Sequence, residues 1–277
     1  MSVALHLLVI DPQKDFVNPS GSLYVKGAEK DMDRLAVMVH RMKGKLADVH
    51  VTLDSHHKND ISHPDWWKDS AGNHPAPFTI ITAADVKSGR WTTTRPGSYD
   101  RSLAYLEALA ATGRYPHVIW PFHCLIGSEG QAVHDDLFNA LGEWTSDFAG
   151  KGASIDFVTK GSNQWTEHFS AVQAEVPDPS DPSTQINAPL IRTLEQADVI
   201  LLAGEALSHC VANTVRDIAK NFGDPRYVKK MVLLTDASSP VGDPPGTTMF
   251  TDFATDFVRA MKALGRQTAT TTDFLAA

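Results

Sequence analysis

Cysteines, blocks of positive charge and long apolar runs are all scarce in this sequence. The two cysteines, Cys124 and Cys210, are too few among 277 residues for a secreted disulfide framework, and they favour a reducing compartment. The net charge of −8 and the absence of a basic block argue against a nucleic-acid partner. No apolar run approaches the ~20 residues that cross a bilayer, and the first residues lack a secretory-leader pattern. We therefore expect a cytoplasmic protein without a membrane partner.

Short apolar runs alternate with helical patterns along most of the chain. This alternation is typical of a mostly parallel sheet with helices on both faces. The pattern breaks at about 57–116 and again at about 165–184, where proline-rich and polar stretches occur. We predict a single domain over 1–277 with insertions at these two places, the first being a lid or an edge insertion with a helix at 99–112. Strands are predicted at 5–10, 49–53, 117–120, 155–159, 199–203, 231–235 and 268–271.

Three predicted strands end in an ionisable residue. The residues are Asp11, Asp54 and Lys160. Ligands of open parallel sheets bind at the carboxyl ends of the strands, so these side chains could converge on one crevice. The alternative is that each aspartate only starts a turn or caps a helix.

Cys210 lies where a predicted strand ends in a turn and a helix begins. Unpaired backbone N–H groups and the helix dipole at such a position stabilise a thiolate. We therefore predict an exposed thiol with a low pKa that acts as a nucleophile. The alternative is a buried cysteine with a packing role only.

A second group of residues resembles a metal site. Asp54 and His56 are two residues apart at a strand end, where alternate side chains share a face, and His123 is a plausible third ligand. One carboxylate with two imidazoles is a common ligand set for Zn²⁺, Fe²⁺ or Mn²⁺. With twelve histidines in the chain, a chance match is the alternative.

Four separated motifs resemble those of the isochorismatase-like cysteine hydrolases, and among them the nicotinamidases. The resemblance implies a three-layer α/β sandwich with a mostly parallel six-stranded sheet, and hydrolysis of a small-molecule carboxamide such as nicotinamide to the acid and ammonia. It also implies a divalent transition metal beside the catalytic residues, and it leaves open whether the chain forms a homo-oligomer. The motifs are Asp11-Pro-Gln-Lys-Asp-Phe16, Asp54-Ser-His56, Trp120-Pro-Phe-His123-Cys124 and Gly204-Glu-Ala-Leu-Ser-His-Cys210-Val.

The resemblance also implies a role for each matching residue. Cys210 matches the nucleophile, Asp11 the residue that accepts and returns its proton, and Lys160 the third catalytic residue. The oxyanion would be held by the backbone N–H groups of Ala206 and Cys210, with a cis peptide between Glu205 and Ala206.

The remaining motif residues match the metal and substrate positions. Asp54, His56 and His123 would be the metal ligands. The substrate ring would lie between Phe16 and Trp120, with its pyridine nitrogen on the metal.

The chain departs from the family at two places. Many nicotinamidases have a further histidine ligand where this chain has Asp60, although His57 and His63 lie close by in sequence. Asp60 could supply an oxygen ligand through water, which would favour Fe²⁺ or Mn²⁺. The turn before the nucleophile carries unusual residues, so its rim could recognise an amide other than nicotinamide; these residues are Glu205, Leu207 and Ser208.

Two other functions stay open at this point. One is a metal-independent cysteine hydrolase of another amide or carbamoyl substrate, and the other is a non-catalytic binding protein that has kept the fold.

Overall fold

The structure, a computed structural model, describes residues 3–147 and 154–275. Its centre is a six-stranded sheet in the order β5-β2-β1-β6-β7-β8, in which every neighbouring pair is parallel. The strands are β1 (Leu5–Ile10), β2 (Leu46–Asp54), β3 (Trp67–Lys68), β4 (Thr92–Thr93), β5 (Asp156–Lys160), β6 (Val199–Gly204), β7 (Met231–Leu234) and β8 (Gln267–Ala269).

The helices alternate with these strands, and the predicted α/β fold with a six-stranded sheet is confirmed. Right-handed crossovers place α2 and α5, which contact each other, on one face of the sheet and α6, α7 and α8 on the other. Strand β1 is buried along its whole length, as expected for a central parallel strand. The helices are α1 (Lys14–Val17), α2 (Ala28–Met42), α3 (Ala83–Lys87), α4 (Tyr99–Thr112), α5 (Asp135–Asp147), α6 (Ala188–Glu195), α7 (Ala212–Asn221) and α8 (Met249–Ala263).

The strand order reverses between β1 and β6. From β1 the chain builds outward through β2 and β5, and it then returns to build β6, β7 and β8 on the other side. A crevice opens beyond the carboxyl ends of the strands at such a reversal, which is where ligands bind in open α/β sheets.

The prediction of a strand at 117–120 is wrong. This segment pairs with an extended stretch of the first insertion and does not join the sheet. The Ile81 N–H donates to the His117 carbonyl (3.1 Å), and the Ile119 N–H donates to the Thr79 carbonyl (2.9 Å). The apolar pattern indicated a buried extended segment, but the partner of that segment depends on the tertiary fold.

The residues of the first predicted insertion are built around an apolar cluster of their own. The predicted helix at 99–112 coincides with α4, and β3 and β4 form a separate antiparallel pair. The indole N–H of Trp66 donates to the Ser102 hydroxyl (3.0 Å), which joins the cluster to α4. The buried members are Ile61, Trp66, Trp67, Ile81, Val86, Tyr105, Leu106, Leu109 and Ile119.

The two insertions contact each other. Trp165, at the start of the second, packs edge-on against Trp66 at 4.9 Å between ring centroids. The Arg101 guanidinium lies over the Trp165 ring at 4.1 Å and pairs with the Asp178 carboxylate at 2.6 Å. The two insertions follow the adjacent strands β2 and β5, and they pack together near the carboxyl edge of the sheet. We call residues 57–116 and 165–184 the cap below. None of the helices in 3–147 and 154–275 is both long enough and apolar enough to span a bilayer.

Candidate active site

The ionisable strand ends meet at the point where the strand order reverses. Asp54 and Lys160 are the last residues of β2 and β5 and are paired in register, and Asp11 directly follows β1. The Lys160 ammonium lies 2.8 Å from Asp11 Oδ2, 3.1 Å from Asp54 Oδ1 and 3.7 Å from Cys210 Sγ. All four side chains are buried. One cation therefore joins two carboxylates and a thiol in a site largely closed to water.

Gly204 lets the chain turn sharply before Cys210. Its φ is +112°, and a Cβ at this position would lie 1.9 Å from the Ile10 carbonyl oxygen, so β6 could not end beside β1 with any other residue. The Glu205–Ala206 peptide is cis, as the family resemblance implies. Hydrogen bonds from the Glu205 N–H to the Ile10 carbonyl (2.7 Å) and from the Leu207 N–H to the Ser239 carbonyl (2.8 Å) fix this turn.

Cys210 lies in a π-helical turn, Leu207–Val211, that runs directly into α7. The predicted position at a helix start agrees with this, but the predicted exposure is wrong. The residue is only 6% exposed, and burial raises the pKa of its thiol against the opposing effect of the Lys160 charge. Sulfur in the resting site therefore carries its proton.

Asp11 is a carboxylate within reach of that proton, because one of its oxygens lies within 4.8 Å of Cys210 Sγ and both side chains contact the Lys160 ammonium. Burial raises the pKa of Asp11, while Lys160 opposes the shift and Asp54 adds to it. A carboxylate with a raised pKa is a stronger base than an ordinary aspartate. The arrangement can therefore move a proton from sulfur to Asp11.

Asp54, His56 and His123 come together as a group able to hold one metal ion. Asp54 Oδ2 lies 3.1 Å from His56 Nε2 and 3.6 Å from His123 Nε2, and one ligand atom from each residue falls within 4.8 Å of the others. The other oxygen of Asp54 faces Lys160. Asp54 thus connects the metal-ligand group to the thiol site. A carboxylate oxygen with two imidazole nitrogens fits a divalent transition metal.

Asp60 lies behind this group. Its Oδ2 is 3.3 Å from His56 Nδ1, the ring nitrogen opposite to the one that faces Asp54. Asp60 Oδ1 accepts hydrogen bonds from the Ser62 N–H (3.0 Å) and hydroxyl (2.8 Å). Asp60 therefore orients the His56 ring, as outer carboxylates do in metal sites, and does not face the ion position.

The other two histidines near this group differ from each other. His63 is buried, its Nε2 lies 3.4 Å from His123 Nδ1, and burial lowers its pKa to about 3. His57 is exposed, and its backbone carbonyl lies 3.2 Å from His63 Nδ1. His63 therefore supports His123, and His57 contributes only backbone.

A small cavity lies between the thiol and the metal-ligand group. Phe16 and Trp120, the predicted substrate-binding residues, both line it. Its volume of about 20 Å³ is room for about one water molecule. An aromatic ring can therefore enter only when the lining side chains move. Besides Asp54, His123 and Cys210, the lining consists of Phe16, Leu23, Trp120, Glu167, Phe169, Ala206, His209 and Val241.

Five lining residues were missed by the reasoning from sequence: Leu23, Glu167, Phe169, His209 and Val241. The Glu167 carboxylate accepts a hydrogen bond from the Trp120 indole (3.0 Å), and burial raises its pKa. Burial lowers the pKa of His209 to about 3, so this ring is neutral. Glu167 and Phe169 lie in an aperiodic loop that carries no local signal, whereas the position of His209 directly before Cys210 could have identified it.

The unusual residues of the nucleophile turn do not form a rim around the cavity. Glu205 is fully buried, and its carboxylate accepts the Ser239 N–H (3.1 Å). The Ser208 hydroxyl accepts the Val241 N–H (3.1 Å). Ala206 and His209 are the turn residues beside Cys210 that line the cavity, and the hypothesis that Glu205, Leu207 and Ser208 select another substrate stays a prediction.

Comparisons with known proteins identify similar sequences and folds. The chain is 23% identical to a nicotinamidase of Saccharomyces cerevisiae over 239 residues, which cover 86% of this chain and 89% of the relative. A structure of the yeast nicotinamidase bound to the inhibitor nicotinaldehyde has a TM-score of 0.64 at 20% identity, covering 96% of this chain and 99% of that one. No protein-family model matches.

Bacterial and archaeal structures share the same fold. A nicotinamidase/pyrazinamidase of Acinetobacter baumannii has a TM-score of 0.61 at 21% identity, covering 98% of this chain and 97% of that one. A pyrazinamidase of Pyrococcus horikoshii, solved with zinc, has a TM-score of 0.54 at 18% identity and covers 96% and 98%. These comparisons confirm the resemblance to nicotinamidases that the four motifs indicate.

Proposed function

We propose that this protein is a cysteine amidohydrolase that converts nicotinamide, or a close heteroaromatic carboxamide, to the acid and ammonia. The observation that carries the proposal is the buried Lys160 ammonium, which contacts the Asp11 carboxylate and the Cys210 thiol at once. The relatives named nicotinamidase support the choice of substrate.

The first half of the reaction forms a thioester. Asp11 takes the thiol proton as Cys210 Sγ attacks the carboxamide carbon, and the resulting oxyanion accepts hydrogen bonds from the N–H groups of Ala206 and Cys210. Asp11 then returns the proton to the amide nitrogen, the C–N bond breaks, and ammonia leaves. Lys160 keeps its positive charge throughout and stabilises the sulfur while the proton is on Asp11.

The second half reverses these proton transfers. Asp11 takes a proton from water as the water oxygen attacks the thioester carbon. The C–S bond breaks, the acid is released, and the proton returns to Cys210. One carboxylate can serve both halves because its raised pKa suits it to both accept and donate a proton.

We propose that Asp54, His56 and His123 hold one divalent metal ion. When bound, the ion would supply a Lewis-acidic position for the ring nitrogen of the substrate. Asp60 would hold the His56 ring through its far nitrogen, and His63 would support His123. Since Asp60 does not face the ion position, the oxygen donor that would favour Fe²⁺ or Mn²⁺ is lacking, and zinc is the metal that we propose.

The pocket walls support recognition of a flat ring. Phe16, Trp120 and Phe169 provide aromatic surface, and Glu167 fixes the Trp120 indole by a hydrogen bond. The pyridine nitrogen would then point towards the metal ligands, and the carboxamide would point towards Cys210. This orientation predicts discrimination against rings that lack the nitrogen.

Ammonia release from a panel of amides tests the proposal. We expect hydrolysis of nicotinamide, much weaker hydrolysis of benzamide, and none of carbamoyl amides. Cys210→Ala should abolish ammonia release, whereas Cys124→Ala, which removes the other buried thiol, should retain it. Wild-type protein that releases no ammonia from nicotinamide, or a fully active Cys210→Ala variant, would contradict the proposal.

A further inference from the structure

Two histidines and two aspartates lie on one face of the sheet, on strands β1, β2 and β5. His6 of β1 is paired in register with Asp48 of β2, and His50 of β2 is paired with Asp156 of β5. Asp48 and His50 are two residues apart on one strand, so all four side chains point to the same face. His50 precedes Asp54 by four residues, which separates this group from the candidate active site by ~13 Å along the strand.

The distances within the group suit a metal ion. His6 Nδ1 lies 3.2 Å from His50 Nε2, and Asp48 Oδ2 lies 3.8 Å from that same nitrogen. Two nitrogen ligands of a tetrahedral zinc ion are about 3.3 Å apart, since each Zn–N bond is about 2.0–2.1 Å. One ligand atom from each of the three residues falls within 4.8 Å of the others.

Asp156 completes the arrangement from behind. Its Oδ2 lies 3.0 Å from His50 Nδ1, so it accepts the proton of that nitrogen and leaves Nε2 with a free lone pair towards His6. Metal-binding histidines are usually held in this way by an outer carboxylate.

Solvent reaches the site from the side of its carboxylates. His6 and His50 are buried, whereas the side chains of Asp48 and Asp156 are 35% and 50% exposed. An ion can therefore reach the imidazoles past the carboxylates. A direct hydrogen bond between the two rings would also satisfy these two nitrogens, and zinc titration distinguishes that arrangement from a metal site.

We propose that His6, His50 and Asp48 form a second divalent metal site that links β1 to β2 away from the candidate active site. Asp156 is the positioning residue of this site. The proposal does not rest on the proposed function, because none of these residues lies at the catalytic cavity.

Zinc stoichiometry tests the proposal. Metal-stripped protein would be titrated with zinc alone by calorimetry, and the loaded protein would be checked by elemental analysis. We expect two zinc ions per chain for the wild type and one for His123→Ala, which removes a ligand of the other site. His6→Gln should also bind one, and His6→Gln with His123→Ala should bind none. Ammonia release by His6→Gln should match that of the wild type.

Two further variants keep the test decisive even if His6→Gln does not fold. Asp156→Asn keeps all three ligands, and we expect it to weaken zinc binding at this site by about 10–100-fold. His40→Gln, which changes an exposed histidine paired with Glu143 on the helical surface, is the matched control and should leave both affinities unchanged. Loss of all zinc in His123→Ala, or unchanged binding in Asp156→Asn, would overturn the proposal.

Discussion

Replacing Lys160 with methionine would remove the cation that contacts Asp11, Asp54 and Cys210 while keeping a side chain of similar length. Lys160 and both carboxylates are almost fully buried. Breaking a buried ion pair by removing one partner costs about 3–5 kcal/mol, because the remaining charge is left unpaired. The alternative is that one carboxylate takes up a proton. For an ordinary pKa of 3.8 this costs about 4.4 kcal/mol of folding free energy at pH 7 and about 1.6 kcal/mol at pH 5.

The cost of an unpaired charge and the cost of protonation agree that Lys160→Met lowers the free energy of unfolding by about 4 kcal/mol at pH 7. The sign of the pH dependence follows from the pKa of the unpaired carboxylate, which rises above its unfolded value when Lys160 is absent. The penalty is therefore absent at low pH and grows as the pH rises above about 3.8. We expect the stability difference from the wild type to be about 0.4 times as large at pH 5 as at pH 7.

Urea unfolding at pH 5 and pH 7, with a chelator in every sample, would measure this difference. Lys229→Met is the matched control, because Lys229 is exposed, and it should change stability by less than about 0.5 kcal/mol. The specificity constant kcat/KM for amide hydrolysis should fall by about 10²–10⁴-fold in Lys160→Met, since a protonated Asp11 cannot act as the base. A stability loss no larger than that of the control, or one that does not shrink at pH 5, would refute the reasoning.

Three further predictions follow from the site and its surroundings. Asp11→Ala and Lys160→Ala should each lower kcat/KM almost as much as the double variant does, because the groups act together; losses that multiply would contradict a shared role. Burial beside Asp31 raises the pKa of Glu205, so its contribution to the stability of the wild type should decrease as the pH rises above about 4.5. The free energy of unfolding of Glu205→Gln in urea should therefore exceed that of the wild type by an amount that grows from pH 5 to pH 8. A stability difference that does not change with pH would argue against a neutral Glu205. Asp60→Ala should weaken zinc binding at the site of His56 by about 10–100-fold in calorimetry, and an unchanged affinity would show that the outer carboxylate is not needed.

The features that could be predicted from sequence are those with a local physical cause. Residues 5–10 form an apolar run of strand length, and they form a strand with the predicted bounds. The helix at 99–112 ends at Gly113, whose φ of +66° is the left-handed conformation that ends many helices. Asp11 and Lys160 meet because parallel strands bring their carboxyl ends to one edge, which follows from the strand pattern alone.

The features that could not be predicted depend on segments far apart in the sequence. Residues 117–120 pair with 78–81 of the cap, and no local pattern distinguishes that partner from the main sheet. Cys210 was expected to be exposed because its helix-start position was considered by itself. Trp120, Phe169 and Val241, which lie with it around the cavity, come from three distant segments. Its burial, and therefore the direction of its pKa shift, is a tertiary property.

The small volume of the cavity beside Cys210 affects the affinity for a ligand. Because its volume of about 20 Å³ cannot accept an aromatic ring, only a less populated open form of the free protein can bind one. Measured affinity is then the intrinsic affinity multiplied by the population of the open form, so each 1.4 kcal/mol needed for opening weakens binding about tenfold. A substitution such as Val241→Ala, which makes room at a part of the wall that has no role in ring recognition, would tighten binding through this population alone, without any new contact to the ligand.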